Sequence, residues 1–97
     1  MIANTQTYST KRIFIGVNEE GGSVSSVSAK LDVQDVDTAG TLGKNETTDA
    51  TYEAGKTIGT YLKELGFNVN FAPVADVITD SDNKLLGDRS FGSDATK

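Results

Sequence analysis

Three carboxylates and one guanidinium are the side chains of this chain whose placement could do chemistry. Glu19, Glu20 and Asp76 each follow an apolar run, where a strand would deliver them to a common end. Two facing carboxylates can act as acid and as nucleophile or base in cleaving a glycosidic bond. Their spacing alone favours a plainer reading, in which they cap loops, pair with an Arg or face solvent. Arg89 is the only Arg between Asp76 and Asp94. It can clamp a carboxylate or a sugar hydroxyl, or serve as a surface charge. Other motifs fail on inspection. Asp80-Ser81-Asp82-Asn83 opens like a calcium loop, but its sixth position is Leu85 and its twelfth Phe91, where Gly and Glu are needed. Gly40-Thr41-Leu42-Gly43-Lys44-Asn45 lacks phosphate-loop spacing and the hydroxyl residue after Lys44. Asn45-Glu46-Thr47 is a glycosylation triplet of the kind that arises by chance.

Composition narrows the field further. The 97 residues carry 9 Lys and Arg against 14 Asp and Glu, a net charge of −5, with no His and no Cys. Disulfides, thiolate metal sites and imidazole catalysis are therefore outside this sequence, and neither a metal nor another cofactor is called for. The acidic balance does not suit nucleic acid or an anionic membrane surface. The apolar runs 13–17 and 71–75 are far too short to span a bilayer. The first residues lack the pattern of a secretion signal. The compartment of the parent protein stays open between cytoplasm and exterior.

The elements that would position these groups can be read from pattern. Residues 13–17, Ile-Phe-Ile-Gly-Val, form an unbroken apolar run and predict a strand buried on both faces, as in a parallel sheet. Residues 1–12 fit either a helix end or a loose arm. Ser23 to Lys30 fits an irregular loop or a weak β-ribbon, and Val36 to Leu42 a short helical turn closed by Gly43. Residues 48–65 predict a helix, with Ala54, Ile58, Tyr61, Leu62 and Leu65 on one stripe. Thr47 or Thr48 would cap it, Glu46 and Asp49 would sit at its positive end, and Gly66 would end it. Gly55 and Gly59 lower its propensity by about 1 kcal/mol each; they either admit a close backbone or are simply tolerated. Residues 67–74 predict a second strand, with Phe67, Val69 and Phe71 on one face and Asn68 and Asn70 on the other, ending at Pro73. Asp76 to Ser93 reads as a surface loop. Strand, long loop, helix and strand make one right-handed βαβ unit of an α/β protein, with both loops at the strand ends where such folds bind ligands.

Three segments add a resemblance. Residues 15–22 (IGVNEEGG), 67–77 (FNVNFAPVADV) and 87–94 (GDRSFGSD) resemble, in order and separation, the N-terminal barrel domain of glycoside hydrolase family 3. Tyr52-Glu53-Ala54-Gly55-Lys56 and Leu62-Lys63-Glu64-Leu65-Gly66 are similar to the family helix between them. The likeness runs from about Ile13 to Asp94, over one domain piece, and points to the β-N-acetylhexosaminidase branch. The β-glucosidase branch usually carries a Trp-Gly-Arg element after the second strand, and this chain has no Trp. The resemblance implies a retaining, exo-acting enzyme that removes terminal β-linked N-acetylglucosamine. It also implies a nucleophilic Asp, a loop His as acid/base and a sugar-binding Lys-His pair, all downstream of the matching part. The positions it carries over are sugar-binding ones: Arg89 as the Arg of the Arg-Ser pair, Asp76 as the Asp after the Ala-Pro strand, and Asn18 where the family usually has Asp. Ser26 stands where Arg is usual, and Asp37 and Ala95 where Pro is common.

A closed (β/α)8 barrel needs eight strands and about 250 residues. Two recognisable strands and one helix make only a partial barrel, an N-terminal fragment whose open edges invite pairing with other chains. The sequence thus predicts a piece of a carbohydrate hydrolase that is inert alone. The alternative is a non-catalytic sugar-binding or self-associating remnant.

Overall fold

A computed structural model describes residues 2–44 and 47–96. In chain order the elements are helix α1 (Ile2–Tyr8), strands β1 (Gly16–Val17), β2 (Glu19–Gly21) and β3 (Val24–Ser25), helices α2 (Ala39–Lys44) and α3 (Thr48–Leu65), and strand β4 (Val69–Asn70). A 3-10 turn at Gly87–Arg89 follows. Glu46 and most of the Asn45-Glu46-Thr47 triplet lie outside the described residues.

β1 and β4 pair in parallel, with Gly16 opposite Val69 and Val17 opposite Asn70. α3 connects the long excursion after β1 to β4, so the expected strand–helix–strand order is present. The strands are much shorter than the predicted 13–17 and 67–74. At the start of β1, side-chain amides extend the pairing beyond the two-residue strands. The Ile13 N–H donates to Gln6 Oε1 at 3.2 Å, and the Ile15 N–H donates to Asn68 Oδ1 at 2.6 Å. Beyond β4 a last ladder bond runs from the Phe71 N–H to the Val17 carbonyl, before Pro73 removes the next available donor. The expectation that 13–17 is buried on both faces is not met. Phe14 is 89% exposed and Ile13 37%, because α3 and the hairpin cover only one side of the pair. Phe71 is likewise exposed; its ring lies over Gly16, where an added Cβ would come within 2.5 Å of it.

α3 occupies the predicted span residue for residue. Ile58, Tyr61 and Leu62 of the stripe are buried and pack with Val27, and Val17, Val33, Val36 and Phe67 close around them. That cluster is the core, and it joins the helix to the turn after β3. Gly66 is left-handed at φ 98°, and the Gly66 and Phe67 N–H groups bond the Lys63 and Leu62 carbonyls, a Schellman ending. Thr47 takes the extended cap conformation, but its side chain makes no cap bond. Among the described residues nothing approaches the open sides of Gly55 and Gly59, so the close-backbone reading is corrected: both are tolerated helix glycines.

The ambiguous stretches resolve into local structure. β2 and β3 form a small antiparallel hairpin, and residues 26–30 form successive turns. The short helix expected at 36–42 lies at Ala39–Lys44 and runs through Gly43 instead of ending there. A side chain at Gly43 would drive its Cβ to 1.8 Å from the Phe91 carbonyl oxygen, so Gly43 is a packing glycine. α2 thereby seats the loop that carries Arg89.

Candidate functional site

Parallel pairing puts the segments after β1 and β4 at the same end of the pair, and the three groups named from sequence follow those two strands. Asn18 lies between β1 and β2 and is exposed. Its carbonyl accepts from the Ser26 N–H at 3.4 Å, so Asn18 and Ser26, the two departures from the family pattern near the site, are neighbours. Two residues on, Glu20 reaches the 3-10 turn. Arg89 Nε donates to Glu20 Oε2 at 3.0 Å and Nη2 donates to Oε1 at 2.9 Å, a two-pronged pair. The bonds to Glu20 and its negative charge raise the Arg89 pKa further. The adjacent Ser90, buried to 1% exposure, donates from Oγ to the Asp76 carbonyl at 2.7 Å. The chain of contacts therefore runs from Glu20 through Arg89 and Ser90 to Asp76. It ties the post-β4 loop to the hairpin after β1.

The carboxylates have separate assignments. Glu19 is fully buried; Oε2 accepts from the Val27 and Ser28 N–H groups at 3.0 Å each. Burial first, and then the interaction of its hydroxyl with Glu19, push the Tyr61 pKa well above the ordinary phenol value. Asn70 brackets the same residue from β4: the Glu19 N–H donates to Asn70 Oδ1 and Asn70 Nδ2 donates to the Glu19 carbonyl, both at 3.0 Å. Glu20 is committed to Arg89. The Asp76 carboxylate accepts from the next backbone N–H, that of Val77, at 2.9 Å. Capping a loop and pairing with an Arg thus account for Glu19 and Glu20. Among the described residues no group of three or more potential metal ligands is gathered.

A groove of about 450 Å3 lies between α2, the start of α3 and the post-β4 loop, walled by Leu42, Pro73, Val77, Phe91 and also Asp76. Asn18 and Arg89 are not on its wall. The sequence points to Asp76 and Arg89 by residue type and to Asn18 only through the family resemblance. It missed Ser90, Asn68 and Asn70, whose polar side chains hold the backbone of the site. For the two Asn residues the available signal was their alternation with Phe67, Val69 and Phe71.

Residues 1–97 match the glycosyl hydrolase family 3 N terminal domain. The chain belongs to glycoside hydrolase family 3. It is 35% identical over 80 residues to beta-hexosaminidase LpqI of Mycobacterium tuberculosis, covering 82% of this chain and 20% of that protein. It is 32% identical over 103 residues to beta-hexosaminidase A of Pseudoalteromonas piscicida, covering 97% of this chain and 16% of that one. The crystal structure of a family 3 glycosyl hydrolase from Mycobacterium smegmatis superposes with a TM-score of 0.85 at 31% identity, over 98% of this chain and 28% of the other. The chain thus spans a fifth or less of the length of these two curated relatives. Its fold is a slice of the family's α/β barrel domain: one parallel strand pair with its connecting helix and two elaborated loops. No described helix is long and apolar enough to cross a membrane.

Proposed function

We propose that these residues supply part of the sugar-binding face of a retaining exo-β-N-acetylglucosaminidase acting on terminal β-linked N-acetylglucosamine, and that the 97-residue chain by itself does not turn over substrate. The observation that carries the reading is the Glu20–Arg89–Ser90–Asp76 chain of contacts, which gathers the three family segments at one end of the parallel pair. In it Arg89 offers N–H donors to a hydroxyl or acetamido oxygen and Asp76 holds the loop through its carbonyl; outside it, the exposed Asn18 after β1 offers an amide. The printed names of the relatives, two beta-hexosaminidases and a beta-N-acetylglucosaminidase/beta-glucosidase of Cellulomonas fimi, support the substrate class. Domain extent follows the same reading: residues 1–97 form one piece of the barrel domain.

Glycoside cleavage needs an activated nucleophile and an acid of suitable pKa. Here Glu19 and Glu20 are spent on loop and Arg contacts, and the sequence has no His. A chromogenic N-acetylglucosaminide should therefore show no hydrolysis above background with this chain, whereas turnover abolished by Arg89→Ala would overturn the inactivity. Asn18 and Ser26, in place of the usual Asp and Arg, support the alternative of a non-catalytic binder. N-acetylglucosamine titration followed by NMR distinguishes the two: shifts at Asn18 and Arg89 support a working subsite, and their absence supports a remnant. The exposed apolar residues of the strand pair support a further role, self-association.

A further inference from the structure

We propose that Glu20 is the positioning residue for Arg89: its carboxylate fixes the plane of the guanidinium so that the remaining N–H donors stay ready for a sugar oxygen. The inference rests on the sugar-binding reading of Arg89. The backbone of Arg89 is held by its own loop, through its N–H to the Leu86 carbonyl at 2.8 Å and through the Ser90 hydroxyl to Asp76. The far end of its side chain has a different anchor. Glu20, 69 residues earlier, takes Nε and Nη2 on its two oxygens. No other hydrogen bond to a described residue engages the guanidinium. The exposures are unequal in a telling way: the Glu20 side chain is 7% exposed and that of Arg89 35%. The carboxylate is the enclosed, fixed member, and the cation is the one presented outward. A planar fork gripped along one edge cannot rotate about its long stem, so its opposite edge points one way. Held so, it meets a neutral hydroxyl or amide oxygen without paying again to order the side chain. Glu20 touches no sugar in this arrangement; it acts through Arg89.

The Arg89 Nε–Hε signal reads the positioning without sugar, and N-acetylglucosamine titration reads its consequence. In the unaltered chain that signal should be sharp and slow to exchange with water, and should shift as sugar is added. Glu20→Gln keeps the size of the side chain but removes one acceptor and the charge. It should speed exchange of that proton and weaken sugar binding by about tenfold, while backbone amide signals distant from the pair stay in place. Glu20→Asp should recover part of both effects, and it carries the test if Glu20→Gln fails to fold. An unaltered Arg89 signal, or undiminished binding, in a folded Glu20 variant overturns the positioning role and leaves the sugar site standing. A native chain with a sharp Arg89 signal but no response to sugar overturns both. Equal loss of stability in the two variants with Arg89 and sugar binding unchanged shows a structural pair only and also overturns it.

Discussion

Glu19 and Glu20 are sequence neighbours that serve opposite partners, because successive strand residues point to opposite faces. Glu19 turns inward to the Val27 and Ser28 amides and to Tyr61; Glu20 turns to Arg89. The inward residue has a consequence for alkaline stability. Tyr61 holds its proton more tightly folded than unfolded, its pKa standing well above the ordinary phenol value of 10.0. Below pH 10 that contribution is fully present. Above it the unfolded chain gives up the proton while the folded chain keeps it, so stability falls as pH rises. Urea midpoints measured at pH 8 and pH 11 should therefore drop further in the native chain than in Tyr61→Phe; equal drops would contradict the assignment. Residue types and order were enough to single out both Glu residues, Arg89 and Asp76, and to list capping and Arg pairing among their fates. Which Glu took which fate was not legible, because a one-residue change of strand phase exchanges them.

At the scale of elements, two glycines in two helices should respond in opposite directions. Gly55 in α3 faces open space, so Gly55→Ala only removes unfolded-chain freedom and should stabilise by about 0.5–1 kcal/mol. Gly43 in α2 lies against the Phe91 backbone, and a Cβ there would sit 1.8 Å from a carbonyl oxygen. Gly43→Ala should destabilise by about 1–3 kcal/mol and disturb the amide signals of residues 87–92. Urea unfolding of both variants checks the pair; a stabilising Gly43→Ala would mean that α2 does not seat the loop. The difference was invisible in sequence, where Gly43 read as a helix stop and Gly55 and Gly59 fitted a close backbone approach and simple tolerance equally. Local pattern, by contrast, specified α3 fully, since an 18-residue stripe ending at Gly66 depends on contacts within the helix and one face. Strand lengths were not specified in the same way. The length of a strand depends on what lies beside it, and here Asn68, just before β4, bonds Ile15 through its side chain as well as its backbone N–H, while the Gln6 side chain takes the Ile13 N–H.

The whole molecule is long and thin, 47 × 24 × 23 Å, with a radius of gyration of 15.2 Å. A compact domain of this size is expected near about 13 Å. The excess has a physical origin in the small core: the main buried cluster is Val27, Ile58, Tyr61 and Leu62, while Phe14, Phe71, Tyr8 and Leu85 remain largely exposed. In a barrel, neighbouring strands would take up the free edges of β1 and β4, and the further strands and helices would cover their faces. Isolated, the pair keeps its unpaired edges and its apolar side chains in water, and both terms favour pairing with another chain. The net charge of −5 opposes this, but salt screens it over about 10 Å at 0.1 M ionic strength. Self-association should therefore rise with protein concentration and with salt, and should ignore N-acetylglucosamine. Sedimentation velocity across a hundredfold concentration range reads it directly. Phe14→Lys, which places a charge on the exposed edge and leaves the α3 cluster alone, should shift the distribution toward monomer without a fall in helical signal. A native chain that sediments as a single monomer throughout would mean that edges this short do not drive pairing.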